Sequence, residues 1–467
     1  MRSNPSKNST ITERNGKVMF DLVLKNGTVV DSDRMYNADV YIKDGKIGAI
    51  CESKEEFLAE TTVDVKGKLL FPGAVDSHMH IGEYKADYEE MDTATAAAVV
   101  GGVTCLIDMP VNQQCPSIVN EDLFEEKRKH LEEKSYADFC MWGALIPENI
   151  DKLKGMHDLG AIAFKSFLSG GGADFPAPNM AKVRYALQTI AEFGGMAGFH
   201  CEDNWIIKEG TEYMTQNKLN TRQAFLDSRP LVAEILATRD IIELARETKA
   251  KVHICHVSHP EVAKMIAQAK REGVDISAET CVHYLVFSKD DLIEKGCLYK
   301  CAPPLRDREA SEELWKYVED GTFSSVASDH SPGMPENRDD TKRPIYEVGN
   351  GISGVQTMFQ SYFDAATKRG LSPTLLARTL AEGPAKRFGI YGKKGAIKVG
   401  FDADIVVFDQ NKEWEVKAED LYYKQKISAY VGRKGTGVPT ETYLRGKLVA
   451  KDGKLVGTTG CGQFVTA

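Results

Sequence analysis

Phe71-Pro-Gly-Ala-Val-Asp-Ser-His78-Met-His80 is an apolar run that reads as a β-strand and ends in two histidines spaced i, i+2. Alternate side chains of a strand share a face, so both imidazoles can be aimed at one spot beyond the strand's end. Two ring nitrogens on a rigid element make half of a site for zinc or another borderline divalent ion, with further positions left to other strands and to water. The same pattern also suits a surface pair just past the strand, and taken alone it leaves the two readings level.

Working outward, the segment before this run has a different grammar from the segment after it. From Phe20 the chain reads DLVLKNGTVVD, ADVYIKDGKIGAI and TTVDVKGKLLFPG, short β-branched runs separated by Asn-Gly, Asp-Gly and Lys-Gly turns that predict hairpins. The style returns near the C-terminus in Gly400-Phe-Asp-Ala-Asp-Ile-Val-Val-Phe-Asp, Thr440-Glu-Thr-Tyr-Leu-Arg-Gly-Lys-Leu-Val and the Asp452-Gly turn. One small β-sandwich assembled from residues 19–70 and 396–467 is therefore expected, with residues 1–18 as a frayed extension.

Between the two ends, apolar runs alternate with helical periodicity, the signature of βα units and a parallel sheet. Strands are expected at Leu69 to Val75, Val103 to Asp108, Phe139 to Ala144, Ala161 to Phe167, Met196 to His200, Lys251 to Val257, Asp275 to Glu279 and Ser325 to Ser328. From His78 to Asp329 the alternation covers 251 positions, in line with the roughly 250 residues of a (β/α)8 TIM barrel. The fold expected is thus α/β, with a barrel over residues 71–395 and the small sandwich beside it.

Composition narrows the function. The 59 basic and 68 acidic residues are spread without long like-charge blocks, which argues against nucleic acid or a membrane surface as partner and leaves a small molecule. Ten cysteines without CxxC spacing fit reduced core thiols in a cytoplasmic protein. No run of about 18 apolar residues suggests a membrane span.

Catalytic residues of such barrels close the strands at their C-terminal ends. Strand one ends in His78 and His80; strand four carries Lys165 inside an apolar segment; strand five ends at His200; strand six offers His253 and His256; strand eight ends Ser328-Asp329-His330. A lysine in a buried strand needs explaining, because an unpaired ammonium in a low-dielectric core shifts toward neutrality. A neutral amine can add carbon dioxide, and the carbamate is an anionic two-oxygen ligand able to bridge two cations. The alternative is an ion pair of Lys165 with Asp329 or Glu202. For His200 the alternative is a hydrogen-bonded core histidine. Of the strand-six pair, His256 lies nearer the mouth, and His253 is placed in the helix–sheet layer. Asp329 suits either a cap of the following turn or a metal-site carboxylate that moves a proton. His330 stays ambiguous.

On these residues the chain resembles the amidohydrolase superfamily, and within it the cyclic amidases that include allantoinases, hydantoinases and dihydropyrimidinases. The likeness covers nearly everything after Phe20. It implies that His78, His80, His200 and His256 ligate two divalent ions, zinc first with cobalt, manganese or iron also suited. It further implies that Lys165 is the N6-carboxylated bridge and that Asp329 is both ligand and general base. Asp108-Met-Pro-Val-Asn112, His200-Cys-Glu-Asp, Cys255-His-Val-Ser-His-Pro-Glu261, Cys281-Val-His283-Tyr, Lys300-Cys-Ala-Pro-Pro-Leu-Arg306-Asp, Ser328-Asp-His-Ser-Pro332 and Tyr430-Val-Gly-Arg look most like allantoinase words. Dihydroorotases place an arginine soon after the histidine pair, whereas Ile81-Gly82-Glu83 follows here. The resemblance implies opening of the allantoin ring to allantoate, with 5-substituted hydantoins or dihydropyrimidines as the alternative substrates. His283, Cys301 and Asn350, with their neighbouring backbone, are the substrate contacts it suggests, and a homotetramer is the assembly.

Overall fold

The computed structural model describes residues 13–14, 17–52, 57–81, 88–111 and 116–467. Most of the extension expected over residues 1–18 lies outside them. Glu13–Arg14 pairs antiparallel with the start of the strand Lys17–Val30, so that short piece is strand.

Eight parallel strands form the barrel: Ala74–Met79, Val103–Asp108, Asp138–Ala144, Ala163–Phe167, Met196–His200, Lys251–Ile254, Ile276–Cys281 and Ser325–Ala327. They neighbour one another in chain order. The last meets the first through a bridge between Met79 and His330 and a hydrogen bond from His80 N to His330 O at 2.9 Å. Helices such as Met180–Glu192, Leu231–Thr248 and Pro260–Arg271 cover the outside. The last of these shows why its sequence is helical. His259 caps it, Pro260 occupies the first turn, Lys270 and Arg271 close the last turn, and Val262, Ala263, Ile266 and Ala269 form one buried stripe.

The expected first strand, Leu69 to Val75, is two strands. Leu69–Pro72 belongs to the other sheet, and the barrel strand begins at Ala74. Pro72 and Gly73 make the crossing, and Gly73 is required for space, since a Cβ there would overlap the Thr104 side chain.

Among the described residues that other sheet has ten strands and takes them from both ends of the chain. Leu69–Pro72 lies between Ile405–Glu415, which it pairs antiparallel, and Lys17–Val30, which it pairs parallel. The sheet curls over its own core. A bridge from Lys46 to Asp402 returns one edge toward the C-terminal strands, and Ile47 and Tyr443 share a cluster with Leu24, Val40, Leu70 and Val407. The expected sandwich is thus one continuous sheet folded back on itself.

A buried ionic knot ties this sheet to the base of the barrel. Lys394 Nζ lies 2.5 Å from Asp138, 2.7 Å from Asp404 and 3.0 Å from Asp402, and Arg445 also pairs with Asp138. Asp138 opens barrel strand three. Lys394→Met is expected to cost roughly 3–5 kcal/mol, because it leaves buried carboxylates without their shared cation. A denaturant melt with an unshifted midpoint would show that Arg445 suffices alone. The C-terminal tail docks nearby: Phe139 N donates to Gln463 O at 2.9 Å, Val465 N donates to Phe139 O at 2.8 Å, and Phe464 packs on Phe139 and Phe124.

Candidate metal centre

The six side chains singled out from the strand ends converge at the barrel mouth. His78 Nε2 and His80 Nε2 stand 3.4 and 3.5 Å from Asp329 Oδ1. Opposite them, His256 Nε2 is 3.4 Å from Lys165 Nζ and 3.3 Å from His200 Nδ1. The rings of His78 and His256, 5.1 Å apart at their centroids, join the two groups. Both His256 and Asp329 hold left-handed backbone, with φ of 38° and 44°. Non-glycine residues pay strain for that conformation, and such outliers gather where geometry serves a site.

Nothing in this cluster neutralises Lys165 by ion pairing. The side chain is fully buried, and among the described residues no carboxylate lies within salt-bridge reach of its Nζ. Glu202 is taken instead by Arg229 Nη1 at 2.5 Å and His200 Nε2 at 2.7 Å. The ion-pair alternative therefore falls. So does the reading of Asp329 as a cap of the following turn, because the residues after it continue into the bridge that closes the barrel.

Electrostatics favour neutral imidazoles and an ionised Asp329. Burial, helped by the Lys165 charge, lowers His78 to about 4 and takes His256 well below its usual value. Burial also lowers His200, against the opposing pull of Glu202. For Asp329 burial alone would raise the carboxyl, but His78, His80 and His283 hold it down at about 2. Lone pairs and a carboxylate thus face one small volume, and His78 Nε2 is buried there without a hydrogen-bond partner among the described residues. That donor set fits divalent metal.

The suggested substrate contacts divide. His283 sits on the short helix Val282–Val286 directly after strand seven, fully buried, with both ring nitrogens lacking a partner among the described residues. Candidate ligand atoms of Cys281, His283 and Asp329 fall within 4.8 Å of one another, so His283 belongs to the cluster. Cys301 is committed elsewhere: its thiol donates to Pro303 O at 3.3 Å, and burial pushes it up to about 12. Asn350 is half-buried, with Oδ1 lacking a partner among the described residues, and Gly351 N donates to Lys300 O at 2.8 Å beside Cys301.

His253 is not in the helix–sheet layer. Its ring points into the barrel, with Nδ1 2.7 Å from Ser277 Oγ and Nε2 3.3 Å from Glu279 Oε2, above Phe388. The barrel interior at that level is polar, which draws the imidazole inward. His330 resolves as structural: Nδ1 accepts from Gly354 N at 3.2 Å and the ring lies against Tyr423. Sequence reading missed Glu279, which holds His78 Nδ1 at 2.5 Å, and Asp76, which accepts from Ser328 Oγ at 2.5 Å. The signal was present in Ile276-Ser-Ala-Glu-Thr-Cys281, where Ser277 and Glu279 alternate onto one face of a fully buried strand.

Comparison with known proteins agrees with this geometry. The sequence pattern of the amidohydrolase family matches residues 69–449. An allantoinase of Bacillus licheniformis is 36% identical over 457 residues, covering 96% of this chain and 99% of that protein. An L-hydantoinase of Paenarthrobacter aurescens is 33% identical, covering 96% and 98%. Among solved structures, the L-hydantoinase (dihydropyrimidinase) from Arthrobacter aurescens superposes with a TM-score of 0.93 at 33% identity, covering 96% of this chain and all of that one. A match over most of the chain, on a barrel whose strand ends carry this donor set, means that the protein belongs to the amidohydrolase family.

Proposed function

We propose that the protein is an allantoinase, which hydrolyses the ring amide of allantoin to allantoate in a site for two divalent ions. The observation that carries the reading is Lys165, an amine buried without a carboxylate partner and 3.4 Å from His256 Nε2. Carboxylated on Nζ, it would add a second anion to that of Asp329 and face the His200–His256 side of the cluster. His78, His80 and Asp329 would then hold one ion and His200 and His256 the other, with Lys165 between them. Zinc suits these donors first; cobalt, manganese and iron suit them also. When bound, such a pair supplies Lewis acidity to a carbonyl and to water.

The chain's own residues do the rest. Asp329, ionised at neutral pH, accepts a proton from the attacking water and returns it to the ring nitrogen as the amide opens. His283, whose ring nitrogens lack a partner among the described residues, holds the imide edge of the substrate beside Asp329. Backbone at Cys301 and the Asn350 amide frame the ureido side. We assign residues 74–395 to the catalytic barrel and 17–72 with 396–467 to the small β domain, and propose a cytoplasmic homotetramer. Among the described residues no helix is long and apolar enough to cross a membrane.

The second reading, a hydantoinase or dihydropyrimidinase, draws support from the close superposition on an L-hydantoinase. Steady-state turnover separates them on one preparation given allantoin, hydantoin, dihydrouracil and dihydroorotate. Allantoin is expected to show the highest kcat/KM. Faster turnover of a hydantoin or of dihydrouracil would overturn the first choice in favour of the second.

A further inference from the structure

We propose that Glu279 is a positioning residue that sets the tautomer of His78 and strengthens it as a metal donor, a role that rests on the metal-centre reading above. Glu279 is fully buried on strand seven, beneath the mouth. Its Oε1 lies 2.5 Å from His78 Nδ1; its Oε2 accepts from Ser77 Oγ at 2.5 Å and stands 3.3 Å from His253 Nε2. With Oε2 taken by the Ser77 hydroxyl, Oε1 is the acceptor that faces His78 Nδ1, and that geometry assigns the ring proton to Nδ1. Nε2 is then left with its lone pair, and that atom is the one facing Asp329 without a hydrogen-bond partner among the described residues.

Other groups surround the carboxylate. His253 Nε2 stands 3.3 Å from Glu279 Oε2 without a hydrogen bond to it among the described residues, and its Nδ1 lies 2.7 Å from Ser277 Oγ. Strands one and six reach this carboxylate directly, and strand eight is linked to it through Ser77, whose Oγ lies 3.0 Å from Ser325 Oγ. Yet no lysine or arginine lies within 4.0 Å of Glu279 among the described residues; its charged-pair contacts are His78 and His253 alone. A buried charge without a cation is costly to the metal-free fold. Compensation comes through His78, whose far nitrogen would carry a cation, and an acceptor behind a ligating histidine raises its basicity.

A structural carboxylate and a positioning one behave differently on removal. For Glu279→Gln, chelator competition with zinc or cobalt on the holoenzyme is expected to show about 10- to 100-fold weaker binding of the His78 ion. The chelator-treated variant is expected to melt no lower than chelator-treated wild type. Affinity within twofold of wild type, or a metal-free melting point that falls along with affinity, overturns the role. If the glutamine variant does not fold, Glu279→Asp decides: it keeps the charge but withdraws it from His78, so at least tenfold weaker binding supports the role and wild-type binding overturns it. Wild-type protein that takes up no divalent ion in the same titration overturns the metal centre itself.

Discussion

Lys165→Ala is expected to drop the bound metal from two ions per chain to one at most and to lower kcat by at least about a thousandfold. A carboxylated Lys165 holding two ions would contribute several kcal/mol of transition-state charge stabilisation, and each 1.4 kcal/mol is about a tenfold change in rate. The size follows from where the amine sits. Its Nζ has the Phe167 ring at 4.8 Å, His256 Nε2 at 3.4 Å and no carboxylate within reach among the described residues. Carboxylation of that amine would replace a cation-forming group with an anion beside the imidazoles. Alanine leaves a cavity of the right shape for a small acid, so acetate or propionate should restore part of the activity and of the second ion. Elemental analysis together with turnover reads both. A variant with wild-type metal content and activity would sink the carbamate.

Asp329→Asn is expected to lower kcat by about a hundredfold to ten-thousandfold, the range of a lost general base, with a smaller change in KM. The substitution is well posed because of the backbone. Asp329 has φ of 44°, and asparagine tolerates the left-handed region better than most residues, so the strand end keeps its course. What disappears is the charge between His78 and His80, and with it the group proposed to take the water's proton. Single-turnover rates, measured on protein whose metal content has been checked, separate proton transfer from ion loss. Turnover within a few-fold of wild type would place the base elsewhere.

Much of this site was legible because a TIM barrel imposes a rule on where polar residues can stand. Once Val103–Asp108, Met196–His200 and the other runs are read as parallel strands, their ends must meet, and His78, His80, Lys165, His200, His256 and Asp329 meet with them. What escaped was the layer below. Judging His253 by its distance from the mouth ignored its face, and the period of two that puts Ser277 and Glu279 inward gives His253 polar company inside the barrel. The break at Gly73 escaped for another reason. Leu69 to Val75 is apolar throughout because both the ten-stranded sheet and the barrel are buried there, so hydrophobicity carries no mark of the passage from one to the other.

The position of Leu69–Pro72 in the ten-stranded sheet also bears on how the chain is made. Its antiparallel neighbour, Ile405–Glu415, emerges from the ribosome more than three hundred residues later. Until then Leu69, Leu70 and Phe71 present an open apolar edge immediately before the first barrel strand, the kind of edge that recruits other chains. Completion of the small sheet thus waits on strands made after the barrel. A nascent chain stalled before Ile405 would carry a nearly whole barrel beside a strand, Leu69–Pro72, paired on one edge only.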